Sequence, residues 1–473
     1  GGCMYYPTQT FLVAGLSRSG VAAAELLVAR HARAVYLYDD VSDEGVRKNI
    51  AHLEQLGCRS VAKEELTASA AECDVLVLSP GIPIDHALPV LFRKEGKAIV
   101  GEAELAAREM RCPVVAVTGT NGKTTTVSMI EHIFNACHQR AVACGNVGRP
   151  LADCLGELGD DGIAVAEISS FQLETLTSLR PHVAVFLNIA QDHLNRHYTM
   201  ENYIYLKQRL MKNCAESEYV VLNRDDDVIR SFAEKTRARV VWFSTEDRVD
   251  GAYIRDGTVW WREEKLVSLA DLPLEGKHNE ANALAAVCAC KLMGVNGAYI
   301  AAALKTFKGI KHRLQKLGEV DGITFLDDSK ATNVDAAIKA IESVKGESVL
   351  ILGGKDKGYS YAPLFAAIRR SGVVHAVLCG ENAFRLLDFA VKEGFTQVTL
   401  CRPFDLAVRV AFLTAQKGQN VLLSPASASF DAFKSYEERG DRFAAIMEEL
   451  KAERAALRPA EDACDKATQE RGE

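Results

Sequence analysis

Short, β-branched and almost wholly apolar runs alternate with helical patterns from one end of the chain to the other. The clearest are Phe11–Ala14, Val35–Tyr38, Val75–Leu78, Val114–Val117, Val183–Leu187, Val220–Leu222, Val349–Leu352 and Val421–Leu423. A strand apolar on both faces and followed by a helix belongs to a parallel sheet covered on both sides. The pattern predicts an α/β protein in three blocks, residues 1–101, 102–309 and 310–458. A polar tail, 459–473, is charged and poor in apolar residues and is predicted to fray. Between Val240 and Leu272, turn glycines and Trp260–Trp261 predict antiparallel strands. In parallel sheets ligands bind at the carboxyl ends of strands, so the loops after the apolar runs are where chemistry is expected.

Composition narrows the class. The 473 residues are 48% apolar and 25% charged, enough for several cores in two to four domains. A net charge of −7 supplies no global basic field, which argues against a nucleic-acid partner. No apolar run is long enough to span a bilayer and no signal sequence opens the chain, so a cytoplasmic protein without a membrane segment is expected. Thirteen scattered cysteines include no Cys-x-x-Cys pair. They read as small core residues in a reducing compartment, not as a zinc site.

The strongest chemical signal is Val114-Val-Ala-Val-Thr-Gly119-Thr120-Asn121-Gly122-Lys123-Thr124-Thr125. It reads strand, glycine loop, helix. Glycines let backbone N–H groups curl around phosphate oxygens, a lysine bridges the outer phosphates, and a threonine hydroxyl faces Mg²⁺. Val117 stands where the general phosphate-loop pattern has another glycine, so this is a compressed variant. Glu167 ends the next strand, and Asn188-Ile-Ala-Gln-Asp192-His193 follows another. A carboxylate and a histidine at adjacent strand ends beside a nucleotide can hold Mg²⁺; each alone also reads as a cap or turn residue. Lys207, in the helical stretch Tyr203–Leu210, reads by itself as a solvated surface lysine.

The other two blocks carry weaker motifs. Gly15-Leu-Ser17-Arg-Ser19-Gly20, with Asp39 and Asp40 ending the second strand, resembles a dinucleotide fingerprint whose central glycine is replaced by Ser17. The same turn holds any diphosphate against a helix start, and Ser79-Pro80-Gly81 is a second edge for it. In the third block, Asp327–Asn333, Gly353–Gly358 and Ser424–Phe430 form three loops rich in lysine and hydroxyls at strand ends. Such a rim suits an amino-acid carboxylate.

Together these motifs resemble the Mur ligases of peptidoglycan synthesis over essentially the whole chain. Thr118–Thr124 is similar to that family's ATP loop, Glu167–Leu173 and Asn188–His193 to its metal-binding segments, and Gly276–Ala285 to its adenine-contact stretch. Asp327–Asn333, Leu423–Asp431 and Tyr436–Phe443 resemble the glutamate-adding members. The resemblance implies a Rossmann-like UDP-binding domain, a P-loop-type ATP-binding domain and a Rossmann-like C-terminal domain. It implies a monomeric ligase using ATP, Mg²⁺, UDP-N-acetylmuramoyl-L-alanine and D-glutamate. It assigns Lys123, Glu167, His193 and Lys207 to catalysis, with Thr124, Glu167, His193 and a carbamylated Lys207 at the metal. Gly119–Thr125, Asn282, Arg313 and Asp328 would bind ATP, and Ser19, Gly20, Asp39, Ser79, Pro80, Gly81 and Asn146 the UDP substrate. Lys330, Thr332, Lys357, Ser429 and Phe430 would surround glutamate, Lys357 being preferred over Lys355. An L-glutamate-adding or folylpolyglutamate synthetase-like relative, and a nicotinamide oxidoreductase built on the first block, are the competing readings.

Overall fold

The structure, a computed structural model, describes residues 5–146, 149–190, 197–274 and 276–469, with side chains as far as residue 458. The chain divides into two compact units, Gly1–Phe307 and Lys308–Glu473.

The first unit holds two sheets. One is all parallel: β1 (Thr10–Ala14), β2 (Ala34–Tyr38), β3 (Arg59–Ser60), β4 (Val75–Leu78) and β5 (Ala98–Val100), in the order β3-β2-β1-β4-β5. The other contains β6 (Val114–Thr118), β7 (Ala141–Gly145), β8 (Ile163–Glu167), β9 (Val183–Phe186), β10 (Tyr219–Asn223), β11 (Arg239–Ser244), β12 (Gly251–Arg255), β13 (Thr258–Trp261) and β14 (Glu264–Ser268). Their order is β14-β13-β12-β11-β10-β9-β6-β8-β7. The predicted antiparallel stretch begins later than expected. β11 pairs parallel with both β10 and β12, and only β12, β13 and β14 alternate. Periodicity cannot assign direction to a short strand; length of the connection does, and the loop from β11 to β12 escaped that test.

Five helices of this unit matter here: α1 (Arg18–Ala29), α2 (Glu102–Glu109), α3 (Lys123–Ala136), α4 (Met200–Gln208) and α5 (Lys277–Leu292). α3 and α5 cover one face of the large sheet, where Val115, Ile130, Phe134, Leu284 and Val287 share a core. α2 serves two cores at once. Leu105 packs into the first sheet's core, whereas Ala103 and Ala106 pack into the second's. Its carboxylates act as braces. Glu102 accepts the Ala152 N–H (2.6 Å), Glu104 accepts the Thr177 and Ser178 N–H groups (3.0 and 2.8 Å), and Glu109 accepts Arg30 Nε (2.6 Å).

The second unit has one sheet: β15 (Gln315–Val320), β16 (Ile323–Asp327), β17 (Ser348–Gly353), β18 (Val373–Cys379), β19 (Val398–Leu400) and β20 (Asn420–Leu423). The order is β15-β16-β20-β17-β18-β19, antiparallel only at β15. β20 and β18 flank β17, so the direction of strand succession reverses beside β17. The chain ends in α6, Tyr436–Gln469, and the predicted frayed tail is thus helical as far as Gln469. Its charge and low hydrophobicity suggested disorder, but Ala, Glu, Lys and Arg are also strong helix formers. Among the described residues no helix is long and apolar enough to cross a membrane. All described cysteines are free thiols, buried except for Cys137.

Burial raises the Glu102 carboxyl to about 7. Its folded-state pKa lies above the unfolded value, so folding binds a proton between about pH 4.5 and about pH 7. The stability this group contributes is full below that window and is lost as pH rises through it. Glu102→Gln keeps an oxygen for the Ala152 N–H and removes the charge. It is expected to stabilise the protein at pH 8 by about 2 kcal/mol and to flatten the pH dependence over the window, read by denaturant melts at several pH values.

Candidate active site

β6 is buried along its whole length and ends at Thr118, whose hydroxyl donates to the Ile168 carbonyl at 2.7 Å. The loop then turns on Gly119 (φ +152°) and Gly122 (φ +84°). Gly122 needs to be glycine twice over. Its backbone is left-handed, and a Cβ there would collide with the Asn282 carboxamide. Asn282, buried on α5, is thereby placed against the phosphate loop. α3 begins at Lys123, with Thr124 and Thr125 in its first turn. A helix start leaves its first N–H groups without intrahelical acceptors, which is the donor set a phosphate needs.

The loop's backbone is held from within the protein. Lys123 Nζ donates to the Gly119 and Thr120 carbonyls (2.8 and 3.2 Å). Lys207 Nζ donates to Thr118 Oγ1 (3.0 Å) and to the same Gly119 carbonyl (3.1 Å). The Asn188 side chain accepts the Thr120 and Asn121 N–H groups (3.0 and 2.8 Å) and donates to the Asn121 carbonyl (3.0 Å). Lys207 is 1% exposed, so the surface-lysine reading fails. Its helical context hid the burial because Lys207 is the lone charge on the inward face of a short, weakly amphipathic helix.

Glu167 ends β8, buried, and accepts the Thr124 hydroxyl at 3.0 Å. Hydroxyl and carboxylate oxygens are the hard donors Mg²⁺ prefers, so this pair fits the ion. Among the described residues no three His, Cys, Asp or Glu side chains form a ready cation cage. His193, the expected third ligand, lies outside the described residues. Asn146 follows β7, and its N–H donates to the Glu167 carbonyl at 2.8 Å, beside the same strand end.

The first sheet presents the predicted diphosphate turn at the switch point between β1 and β4. Ser19 and Gly20 lie in the first turn of α1, and a Cβ on Gly20 would strike the Gly15 carbonyl. Ser79, ahead of Pro80 and Gly81, packs against Gly15, so the two loops meet. Asp39 is a clamp within this turn: its two oxygens accept the Leu16 and Val41 N–H groups at 2.8 and 2.9 Å.

In the second unit, Asp328 is buried and accepts the Leu314 N–H (3.1 Å) and the Ser424 hydroxyl (2.7 Å). Burial raises its carboxyl to about 6. Arg313 is exposed, and Lys330 and Thr332 are half-buried in the loop after β16. Arg439, 2% exposed, joins that loop to the one after β20. It donates to Ser329 Oγ and the Ser329 carbonyl (2.9 and 2.8 Å) and to the Ser427 carbonyl (2.9 Å). Ser429 is buried; Phe430 is exposed with Lys357 Nζ 5.8 Å from its ring centre. Lys355 pairs with Glu381 at 3.1 Å. A cavity of about 640 Å³ at the ends of β17 and β18 is lined by Lys355, Glu381, Arg402, Phe430 and Arg439, among others. Of the five predicted glutamate residues it includes Phe430 alone.

Comparison with known proteins decides the family. A model of the Mur ligase middle domain matches residues 117–290, and one of the Mur ligase glutamate ligase domain matches 312–427. A UDP-N-acetylmuramoylalanine–D-glutamate ligase of Thermoanaerobacter sp. (strain X514) is 38% identical over 447 residues, 93% of this chain and 98% of that protein. One of Pelotomaculum thermopropionicum is 41% identical over 457 residues, 94% and 99% of the two chains. The chain belongs to the Mur ligase family. Among solved Mur ligases, UDP-N-acetylmuramate-alanine ligase MurC of Thermotoga maritima has the same fold: TM-score 0.51, 17% identity, covering 93% of this chain and 99% of that one.

Two residues of this Mur ligase site carry more of the loop's geometry than their sequence signal suggested. Asn188 was legible only as part of a segment similar to the family's metal-binding stretch, yet its amide grips three backbone groups. Tyr203 carries no motif of its own, and its hydroxyl lies 2.9 Å from Thr120 Oγ1. Asn188→Ala is expected to raise the KM for ATP by about tenfold or more, since three hydrogen bonds shaping the loop are lost at roughly 1 kcal/mol each. Steady-state kinetics with varied ATP check this, and an unchanged KM would show that the loop holds its shape without Asn188.

Proposed function

We propose that the chain joins D-glutamate to the carboxyl of UDP-N-acetylmuramoyl-L-alanine, cleaving ATP to ADP and phosphate, in the cytoplasmic synthesis of peptidoglycan precursors. The observation that carries the reading is the near-full-length identity of 38–41% to relatives named for that reaction. It is supported by a glycine loop that gathers a lysine, a threonine hydroxyl and a carboxylate, the residue types phosphoryl transfer uses, at one strand end.

The substrate carboxylate attacks the γ-phosphorus, forming an acyl phosphate and releasing ADP. The free amine of glutamate then attacks the acyl carbon, loses a proton, and expels inorganic phosphate to leave the amide. No side chain serves as a covalent nucleophile; positioning and electrostatics do the catalysis. Bound Mg²⁺ offsets negative charge spreading over the phosphoryl oxygens. Thr124, Glu167 and His193 hold it in this reading, and Lys123 turns its ammonium from the loop carbonyls to the transferred phosphate. Asn282 is assigned to adenine in this reading, and Arg313 and Asp328 to the nucleotide. The Gly15–Gly20 and Ser79–Gly81 turns take the uridine diphosphate, and Asn146 the muramoyl end. Lys330, Thr332, Lys357, Ser429 and Phe430 receive glutamate.

Lys207 acts as a carbamate. Lys123 Nζ and Lys207 Nζ both donate to the Gly119 carbonyl, so two ammonium groups would repel across one oxygen. A carbamate turns that repulsion into attraction, keeps one N–H for the loop, and offers two oxygens to a cation.

Phosphate release with ATP, Mg²⁺ and UDP-N-acetylmuramoyl-L-alanine is expected to depend on D-glutamate. Dependence on L-glutamate instead would overturn the isomer, and release independent of any amino acid would sink the ligase reading. Lys123→Ala is expected to abolish ADP formation. Lys207→Ala is expected to be inactive and partly restored by short carboxylic acids; full activity without them would remove the carbamate.

A further inference from the structure

Tyr203 lies in α4 with 1% exposure, and its ring is walled on two sides. Lys207 Nζ stands 5.4 Å from the ring centre, and His197 stacks on the ring at 5.7 Å with 30° between planes. His197 is itself held: Nε2 lies 2.9 Å from Ser170 Oγ, Nδ1 lies 3.5 Å from Glu174 Oε1, and Phe171 packs on it at 5.4 Å. The tyrosine hydroxyl is aimed at the phosphate loop, 2.9 Å from Thr120 Oγ1. That threonine oxygen also accepts the Ala190 N–H at 2.9 Å.

A buried tyrosine needs a partner for its hydroxyl, and any core polar group would serve. Here the partner is the second residue of the phosphate loop, and the same ring borders the lysine that donates to the first, Gly119. The tyrosine therefore ties two successive loop residues to one rigid ring, whose own orientation is fixed by a hydrogen-bonded histidine. We propose that Tyr203 is a positioning residue of the phosphate loop, acting through Thr120 and Lys207, with His197 as the stop that sets its ring. The role rests on the ATP-dependent ligase reading above. In this role Tyr203 acts through the loop, by way of Thr120, and not on the reacting atoms.

The test removes the hydroxyl and keeps the ring. Tyr203→Phe is expected to raise the KM for ATP about 3- to 10-fold, the range for one neutral hydrogen bond. The KM for D-glutamate should stay within about twofold and the melting temperature within about 2 °C. Thr120→Val removes the other partner, and the double variant should cost no more than the worse single one, because the two hydroxyls act as a pair. An unchanged KM for ATP in Tyr203→Phe, or multiplicative effects in the double variant, would overturn the proposal. So would a parallel rise in all the KM values with a falling melting temperature, the mark of general loosening. Titration calorimetry with a non-hydrolysable ATP analogue reads the same 3- to 10-fold ratio with no acceptor present. A wild-type enzyme that binds the analogue but shows no D-glutamate-dependent turnover would sink the ligase assignment while the calorimetric ratio still decides the role of Tyr203.

Discussion

A loop that offers backbone N–H groups to a ligand must have its own carbonyls satisfied from inside the protein, or it collapses onto itself. The segment Thr118–Gly122 meets this constraint with side chains from three different elements. Lys123 and Lys207 take the Gly119 carbonyl, Lys123 the Thr120 carbonyl, and Asn188 the Asn121 carbonyl. Each donor sits where it does because a buried strand or helix holds its backbone. The burial of Lys207 keeps its ammonium on these groups, and the close approach of Asn282 on α5 confines the loop at Gly122.

What the sequence made legible was local. The Gly-Lys-Thr loop, the strand before it, Glu167 at a strand end and the alternation of strands and helices all depend on neighbours a few residues apart, and all stand in the structure. What it hid depends on partners far along the chain. Lys207 bonds to residues 88 and 89 positions away, and nothing in Tyr-Leu-Lys-Gln signals a buried cation. Arg439 reaches Ser329 across 110 positions, while its local sequence reads as an exposed charged helix. Asp39, read from the sequence as a ligand residue, also ties two loops together, its oxygens accepting the N–H groups of Leu16, 23 positions away, and of Val41. A pattern of residue types does not show that clamp, since its partner Leu16 lies on another loop.

The resemblance to a known family supplied what local physics could not. Lys207 had an ordinary surface reading on propensity and periodicity, and the family's carbamylated lysine singled it out. Its burial agrees with a special role, because an isolated lysine is rarely taken out of water without a compensating group. In the second unit, Arg439 does comparable work, gathering the loops after β16 and β20 through three hydrogen bonds, although burial lowers its guanidinium to about 10.

Helix α2 has a wider consequence. Because Leu105 belongs to one core and Ala103 and Ala106 to the other, the first two sheets cannot slide past one another without opening both. The buried carboxylates Glu102 and Glu104 reinforce this from the same helix. The turn Gly15–Gly20 on the first sheet and the loop Thr118–Gly122 on the second are therefore held in place by the same helix. Any ligand that bridged the two turns would meet ends whose spacing is set by the packing of one helix, with no side chain devoted to the task.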